Sequence, residues 1–304
     1  MSRFADVLKA YFVNESKNLQ FISLSAAIVI MSTSGVIGRI VAVSPEIAIW
    51  TRCVIASVVL FGMLRVLKLP HGVGKGKALH VVIGSAILFG MHWVTYFYAL
   101  VYSSVAIGML SLFTYPVMTA LLEPLIVRSQ FKWSDLILSL LAFTGVYFLV
   151  PAFDLDNQVT QGILLGLVSA LIYAVRNLLL KLHVNAHSGM TLMFMQVVGV
   201  AVLLTPVLFL DMDLSTHASM ISTDWMPLLI LGVFTTAVGH TLFVKSFKNF
   251  SITTVSIFST LTPLIGIGLG WLFLDELPEG KVLIGGVIIM SAVVIESLRS
   301  MRKG

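Results

Sequence analysis

The chain of 304 residues is 58% hydrophobic and only 11% charged, whereas soluble globular domains carry roughly 25% charged residues. That composition describes a polytopic membrane protein whose spans and short loops consume nearly the whole length, leaving no room for a separate catalytic domain. The net charge of +5 does not point to nucleic acid, because the basic residues fall at the ends of apolar runs and not on one patch. The single cysteine, Cys53, lies inside an apolar run, so an intrachain disulfide is excluded and packing is its expected role.

In chain order, Met1 to Asn18 is polar and mixed in charge, and the apolar run behind it continues as a full span, so no cleavable signal is expected. Within residues 1–20, Phe4, Val7, Leu8, Tyr11 and Phe12 recur at helical spacing. This cytoplasmic segment reads as an amphipathic helix on the membrane surface or as a frayed tail. A spanning helix needs about 20 mostly apolar residues. Turn and charge signals divide the rest into ten such runs, at 21–43, 46–68, 79–100, 103–127, 133–151, 162–182, 190–210, 225–245, 251–274 and 281–298. The expected fold is an all-α integral membrane protein of ten transmembrane helices.

Lysine and arginine in short loops stay on the cytoplasmic side. An inside N-terminus collects fifteen of the nineteen basic residues there. The opposite loops hold Lys281 alone, with Asp154, Asp156, Asp211, Asp213, Asp224, Asp275, Glu276 and Glu279. Both termini are expected to be cytoplasmic, the basic tail 299–304 included.

Two segments share a layout at a fixed offset: "YALVYSSVAIGMLSLFTYPVMTALL" (98–122) and "KSFKNFSITTVSIFSTLTPLIGIGL" (245–269). Each has a short loop, a Ser/Thr-rich helix start and a mid-helix proline, with Pro116 falling on Pro263. Five spans per half is an odd number, so the second half, 162–298, enters the membrane upside down relative to the first, 21–151. Inverted repeats of this kind are an architecture of secondary transporters.

The chain resembles the EamA-type members of the drug/metabolite transporter superfamily over roughly residues 21–298. The resemblance rests on "SPEIAIWTR" (44–52), "YFYALVYSS" (96–104) and "TPLIGIGLGWLFLDELPEGKVLIGGVIIMSAVV" (262–294), together with the ten-span layout. In the first half the position matching Glu276 is Ser129, so the usual acid is missing there. The resemblance implies export or exchange of small metabolites through a central cavity lined by spans one, three, four, six, eight and nine.

Polar residues inside the spans are the candidate site. Taking 1.5 Å per residue, Arg39 and Arg52 lie about four to six residues from the outer surface, and Glu123, Arg176 and His240 about as far from the cytoplasmic one. Arg39 either snorkels to headgroups or pairs with Glu46. Arg52 is deeper and is expected to face inward for an anionic group of the substrate, with Glu46 or backbone carbonyls as alternative partners. His92, Tyr96, Ala99 and Ser103 share one helical face, flanked by Trp93, and His240 falls on Trp93's repeat equivalent. Tyr173, Arg176 and Asn177 cluster on the sixth span. Glu123 is a candidate inner-gate or proton-coupling residue with Arg176 and His240, and Arg176 is its expected partner. Pro116, Pro124 and Pro263 each free a helix carbonyl and are candidate points of flexibility.

Within the spans three arginines face one glutamate, a surplus that favours substrates bearing a carboxylate or phosphate, such as amino acids. The function expected is a secondary transporter, exporter or exchanger more than importer, in a bacterial inner membrane. No metal or cofactor is expected, and no GxxxxGK[ST] nucleotide motif occurs. The partners are a small-molecule substrate, the lipid bilayer and possible protons, in a monomer or homodimer. The rival readings are a membrane scaffold or receptor, and an enzyme on lipid-linked intermediates.

Overall fold

The computed structural model describes residues 17–127, 130–151, 154–181, 187–209, 214–250, 255 and 258–301. The amphipathic segment expected before residue 17, Ser129 and the end of the basic tail lie outside the described residues. Those described are helical, with no strand among them. The helices are α1 (Lys17–Ile40), α2 (Pro45–Leu67), α3 (Lys77–Tyr102), α4 (Val105–Leu112), α5 (Tyr115–Val127), α6 (Trp133–Tyr147), α7 (Gln158–Lys181) and α8 (Gly189–Leu204). A short turn (Thr205–Phe209) leads to α9 (Leu214–Thr223) and α10 (Trp225–Ile230). A π-helical segment (Leu231–His240), α11 (Thr241–Asn249), α12 (Leu261–Leu274) and α13 (Gly280–Met301) complete the order.

Among the described residues, seven stretches are long and apolar enough to cross a membrane, and Trp133–Tyr147, Leu261–Leu274 and Gly280–Ile295 are shorter apolar helices. Their outward faces are oily: Leu272 is 70% exposed, Val58 69% and Ile137 65%. Leaving such surfaces in water would be costly, whereas lipid solvates them. The protein is a multi-pass membrane protein.

Local chemistry sets the helix ends. α2 begins with Pro45 in its first turn after the extended Ser44, and Glu46 lies where a negative charge suits the helix dipole. α4 is capped by the Ser104 hydroxyl, which accepts the Ile107 N–H at 3.2 Å. The fourth expected span breaks into α4 and α5 just before Pro116, which lacks the N–H that would reach Leu112. Thr114 closes the gap, its hydroxyl donating to the Ser111 carbonyl at 2.8 Å. Pro124 stays inside α5, and Pro263 sits in the first turn of α12, where a missing N–H costs little.

The chain forms two compact units. The first comprises Met1–Met31, Val41–Gly90 and Leu180–Ser251, and the second Ser32–Ile40, Met91–Leu179 and Ile252–Gly304. Each draws on both halves of the sequence. In the first, α2 packs on α8 and on the π segment, and Val82, Leu192 and Val244 form a small core. In the second, α6 lies against α13 with their backbones in contact: a Cβ on Gly145 would stand 2.8 Å from the Gly285 carbonyl oxygen. Small residues drive such approaches in lipid, where apolar burial alone gives little. Around that contact Leu110, Val146, Leu149, Ile163, Val282 and Ile289 form the core.

Candidate functional site

In the second unit the polar face of α3 meets that of α7. Gly162, Gly166, Ser169, Tyr173 and Arg176 follow one another at steps of four and three, so they form one stripe along α7. At its glycine end the helices approach so closely that a Cβ on Gly162 would lie 3.1 Å from the Ala99 carbonyl oxygen. That approach carries Ser169 onto His92. The Ser169 hydroxyl donates to the His92 backbone oxygen at 2.8 Å, and His92 Nδ1 lies 2.7 Å from that hydroxyl oxygen and 3.2 Å from the Ser169 carbonyl oxygen.

An aromatic stack grows from this bond. The His92 ring lies 4.3 Å from Tyr173 at 20°, and 6.3 Å from Tyr96 at 7°. Tyr115 meets Tyr173 edge-on at 4.9 Å, and its hydroxyl bonds Ser259. The Arg176 guanidinium stands 5.8 Å from the Tyr173 ring centroid and donates from Nη1 to Asn177 Oδ1 at 2.9 Å. Arg176 is 0% exposed. A planar cation of this kind both stacks on an aromatic face and matches the geometry of a carboxylate or phosphate.

In the first unit the deep cation is Arg52, also 0% exposed. It donates from Nε to Thr236 Oγ1 at 2.7 Å and from Nη2 to Thr235 Oγ1 at 2.9 Å. Each threonine gives its only hydroxyl proton to the Leu231 carbonyl, at 2.7 and 2.6 Å. Their lone pairs are therefore what Arg52 meets. One carbonyl can take hydroxyls from four and five residues later because the segment is π-helical, with a wider turn than an α-helix.

The sequence-predicted residues are thus distributed. Tyr96, His92, Tyr173, Arg176 and Asn177 come together in the second unit, with Trp93 buried on α3. Glu123 is half-buried on α5 in the same unit. His240 is buried in the first unit, where Phe89 meets its ring edge-on at 5.4 Å. Arg39 pairs with Glu276 at 3.2 Å, a partner that its neighbours in sequence did not suggest. Ser169, Tyr115, Thr235 and Ser259 were not anticipated. Ser169 was within reach of sequence reasoning, because it continues the Gly162 and Gly166 stripe. Thr235 was not, since only the π turn lets two successive threonines share the Leu231 carbonyl and both accept from Arg52.

The EamA-like transporter family model matches residues 19–150 and again 160–298. The pseudopaline exporter CntI of Pseudomonas aeruginosa is 21% identical over 257 residues, 84% of this chain and 86% of its own length. An uncharacterized transporter of Archaeoglobus fulgidus is 27% identical over 72% of this chain and 77% of its own. A second uncharacterized transporter, from Synechocystis sp., is 24% identical over 62% of this chain, and the match spans only 56% of that relative's length. A crystal structure of a protein 14% identical to this chain superposes with a TM-score of 0.69, covering 94% of this chain and 99% of that one, a likeness of fold alone. With two family-model matches that together cover most of its length, the chain belongs to the EamA-like transporter family.

Proposed function

We propose that the protein is a secondary transporter that moves a small polar metabolite bearing a carboxylate or phosphate, such as an amino acid, by alternating access. The observation that carries this reading is the pair of fully buried guanidinium groups: Arg52, which donates to the hydroxyls of Thr235 and Thr236, and Arg176, which donates to Asn177 and lies beside the Tyr173 ring. Ionisable groups so placed are costly inside a membrane and by default mark a functional site, and a guanidinium matches the geometry of a carboxylate or phosphate. His92, Trp93, Tyr96, Tyr173, Asn177 and His240 complete the substrate-binding set, while Glu123, Arg176 and His240 serve gating or proton coupling. Pro116, Pro124 and Pro263 lend flexibility.

The architecture proposed is ten spans in two inverted repeats, with the three shorter apolar helices completing the set and both termini cytoplasmic. The two successive family matches support a repeat. A bacterial inner membrane is the proposed location. Export or exchange is the proposed direction, supported by a relative named as an exporter. The protein is proposed to act without catalysis or cofactor.

Reconstituted vesicles test this. Uptake or counterflow from a labelled panel of amino acids, organic acids and pseudopaline is expected to reveal a substrate whose movement is lost in Arg52→Ala and Arg176→Ala. Transport indifferent to both substitutions would refute the anion-binding claim.

A further inference from the structure

The neighbours of His92 fix its tautomer. Its Nδ1 faces the Ser169 carbonyl oxygen at 3.2 Å, an atom that can only accept. It also faces the Ser169 hydroxyl oxygen at 2.7 Å, whose one proton is given to the His92 backbone oxygen at 2.8 Å. Both contacts require a hydrogen on Nδ1. In the neutral ring the basic atom is then Nε2.

We propose that His92 is a proton-carrying residue, with Nδ1–H kept as a standing donor to Ser169 and Nε2 as the atom that gains and releases the proton. Uptake adds one proton from water to the Nε2 lone pair and yields an imidazolium whose bond to Ser169 is unchanged. The charge of the site thus changes without disturbing the α3–α7 contact.

Tyr96 from its own helix and Tyr173 from α7 are titratable groups that face the ring. Arg176 and Tyr115 face it across Tyr173. An imidazolium there shares the Tyr173 ring with the Arg176 guanidinium, so two cations occupy one apolar region. A carboxylate or phosphate stabilises that doubly charged state. Proton and anion occupancy are thereby linked, and the linkage is reciprocal. This use of the proton rests on the anion-transport reading, whereas the proton site itself does not.

Nitrogen NMR of the full chain with labelled histidine, in lipid nanodiscs and assigned with His92→Gln, tests the site from about pH 5 to about pH 8, the range in which histidine ordinarily titrates. The expected result is the Nδ1–H tautomer at the alkaline end and two protonated nitrogens at the acid end. Ser169→Ala is expected to give a mixture of neutral tautomers, which a purely structural serine would not do. Arg176→Gln is expected to change the proton affinity of His92 several-fold. A neutral ring carrying its hydrogen on Nε2, or one protonation state across the whole range, would overturn the proposal. An affinity indifferent to Arg176→Gln would overturn the linkage. No substrate enters the measurement, so a titrating His92 beside transport indifferent to the arginines would refute the anion reading and leave the proton site standing.

Discussion

Arg39 and Glu276 stand 237 positions apart in the chain and meet at 3.2 Å. The pair also closes two helix ends. Arg39 Nη1 donates to the Val101 carbonyl near the end of α3 at 3.3 Å, and Glu276 Oε2 accepts the Val105 N–H that opens α4 at 2.8 Å. Each charge therefore sits where the local helix dipole favours it. Asp275, at φ 54°, ends α12 and turns the chain so that Glu276 follows in place.

The side chains of this pair are 35% and 21% exposed, so screening limits its strength. A double-mutant cycle with Arg39→Gln and Glu276→Gln is expected to give a coupling of about 0.5–1 kcal/mol at low salt, shrinking at high salt. Thermal unfolding in detergent measures it. A coupling that grows with salt would contradict the ion-pair account.

Thr235 and Thr236 receive a guanidinium that has no exposed surface. Replacing both with valine keeps their shape and removes two acceptors from a buried cation. The expected loss is about 2–4 kcal/mol. Arg52→Lys keeps the charge but cannot reproduce the fork, and is expected to lose stability too. Tryptophan fluorescence during heating reads both.

Two glycines of the second unit are expected to respond in opposite ways. A Cβ on Gly285 would stand 2.6 Å from the Gly145 carbonyl oxygen, whereas one on Gly268 meets nothing within 4 Å. Gly285→Ala is expected to cost about 1–3 kcal/mol because one backbone must move. Gly268→Ala is expected to be neutral or to gain up to about 1 kcal/mol from a stiffer helix. Unfolding midpoints of the two variants against the parent check the sign.

Thr241 is buried, and its hydroxyl has no hydrogen-bond partner among the described residues. Thr241→Val is expected to be neutral or stabilising by up to about 1 kcal/mol, because an unsatisfied polar group leaves the interior. The same change at Thr236, five residues earlier, is expected to destabilise. Equal losses at both positions would contradict this proton accounting.

Much of the candidate site was legible as a stripe. His92 and Tyr96 on α3, and Tyr173 and Arg176 on α7, recur at helical spacing among apolar neighbours, so each stripe could be read before its partner was known. The meeting of the stripes could not. It depends on Gly162 reaching the Ala99 carbonyl, and no local pattern encodes which helix a glycine will face. The π turn at Leu231–His240 was hidden for a similar reason: its threonines suit an ordinary helix equally well, and their engagement with Arg52 is a long-range contact.

The sequence by itself determined that this is an all-helical membrane protein, because low charge and long apolar runs leave the backbone only its own hydrogen bonds in lipid. It also marked Pro116 as a residue that frees a helix carbonyl, although the expected span 103–127 was unbroken and Pro124 stays inside α5. Only the tertiary structure decided that Arg39 pairs with Glu276, that Arg52 rests on two threonines, and that His92 is locked by Ser169. These are contacts across 237, 184 and 77 positions. Hydrophobic periodicity states which face of a helix is oily, but in a bilayer both lipid and protein satisfy that face, so the choice of neighbour falls to close packing and a few directed hydrogen bonds.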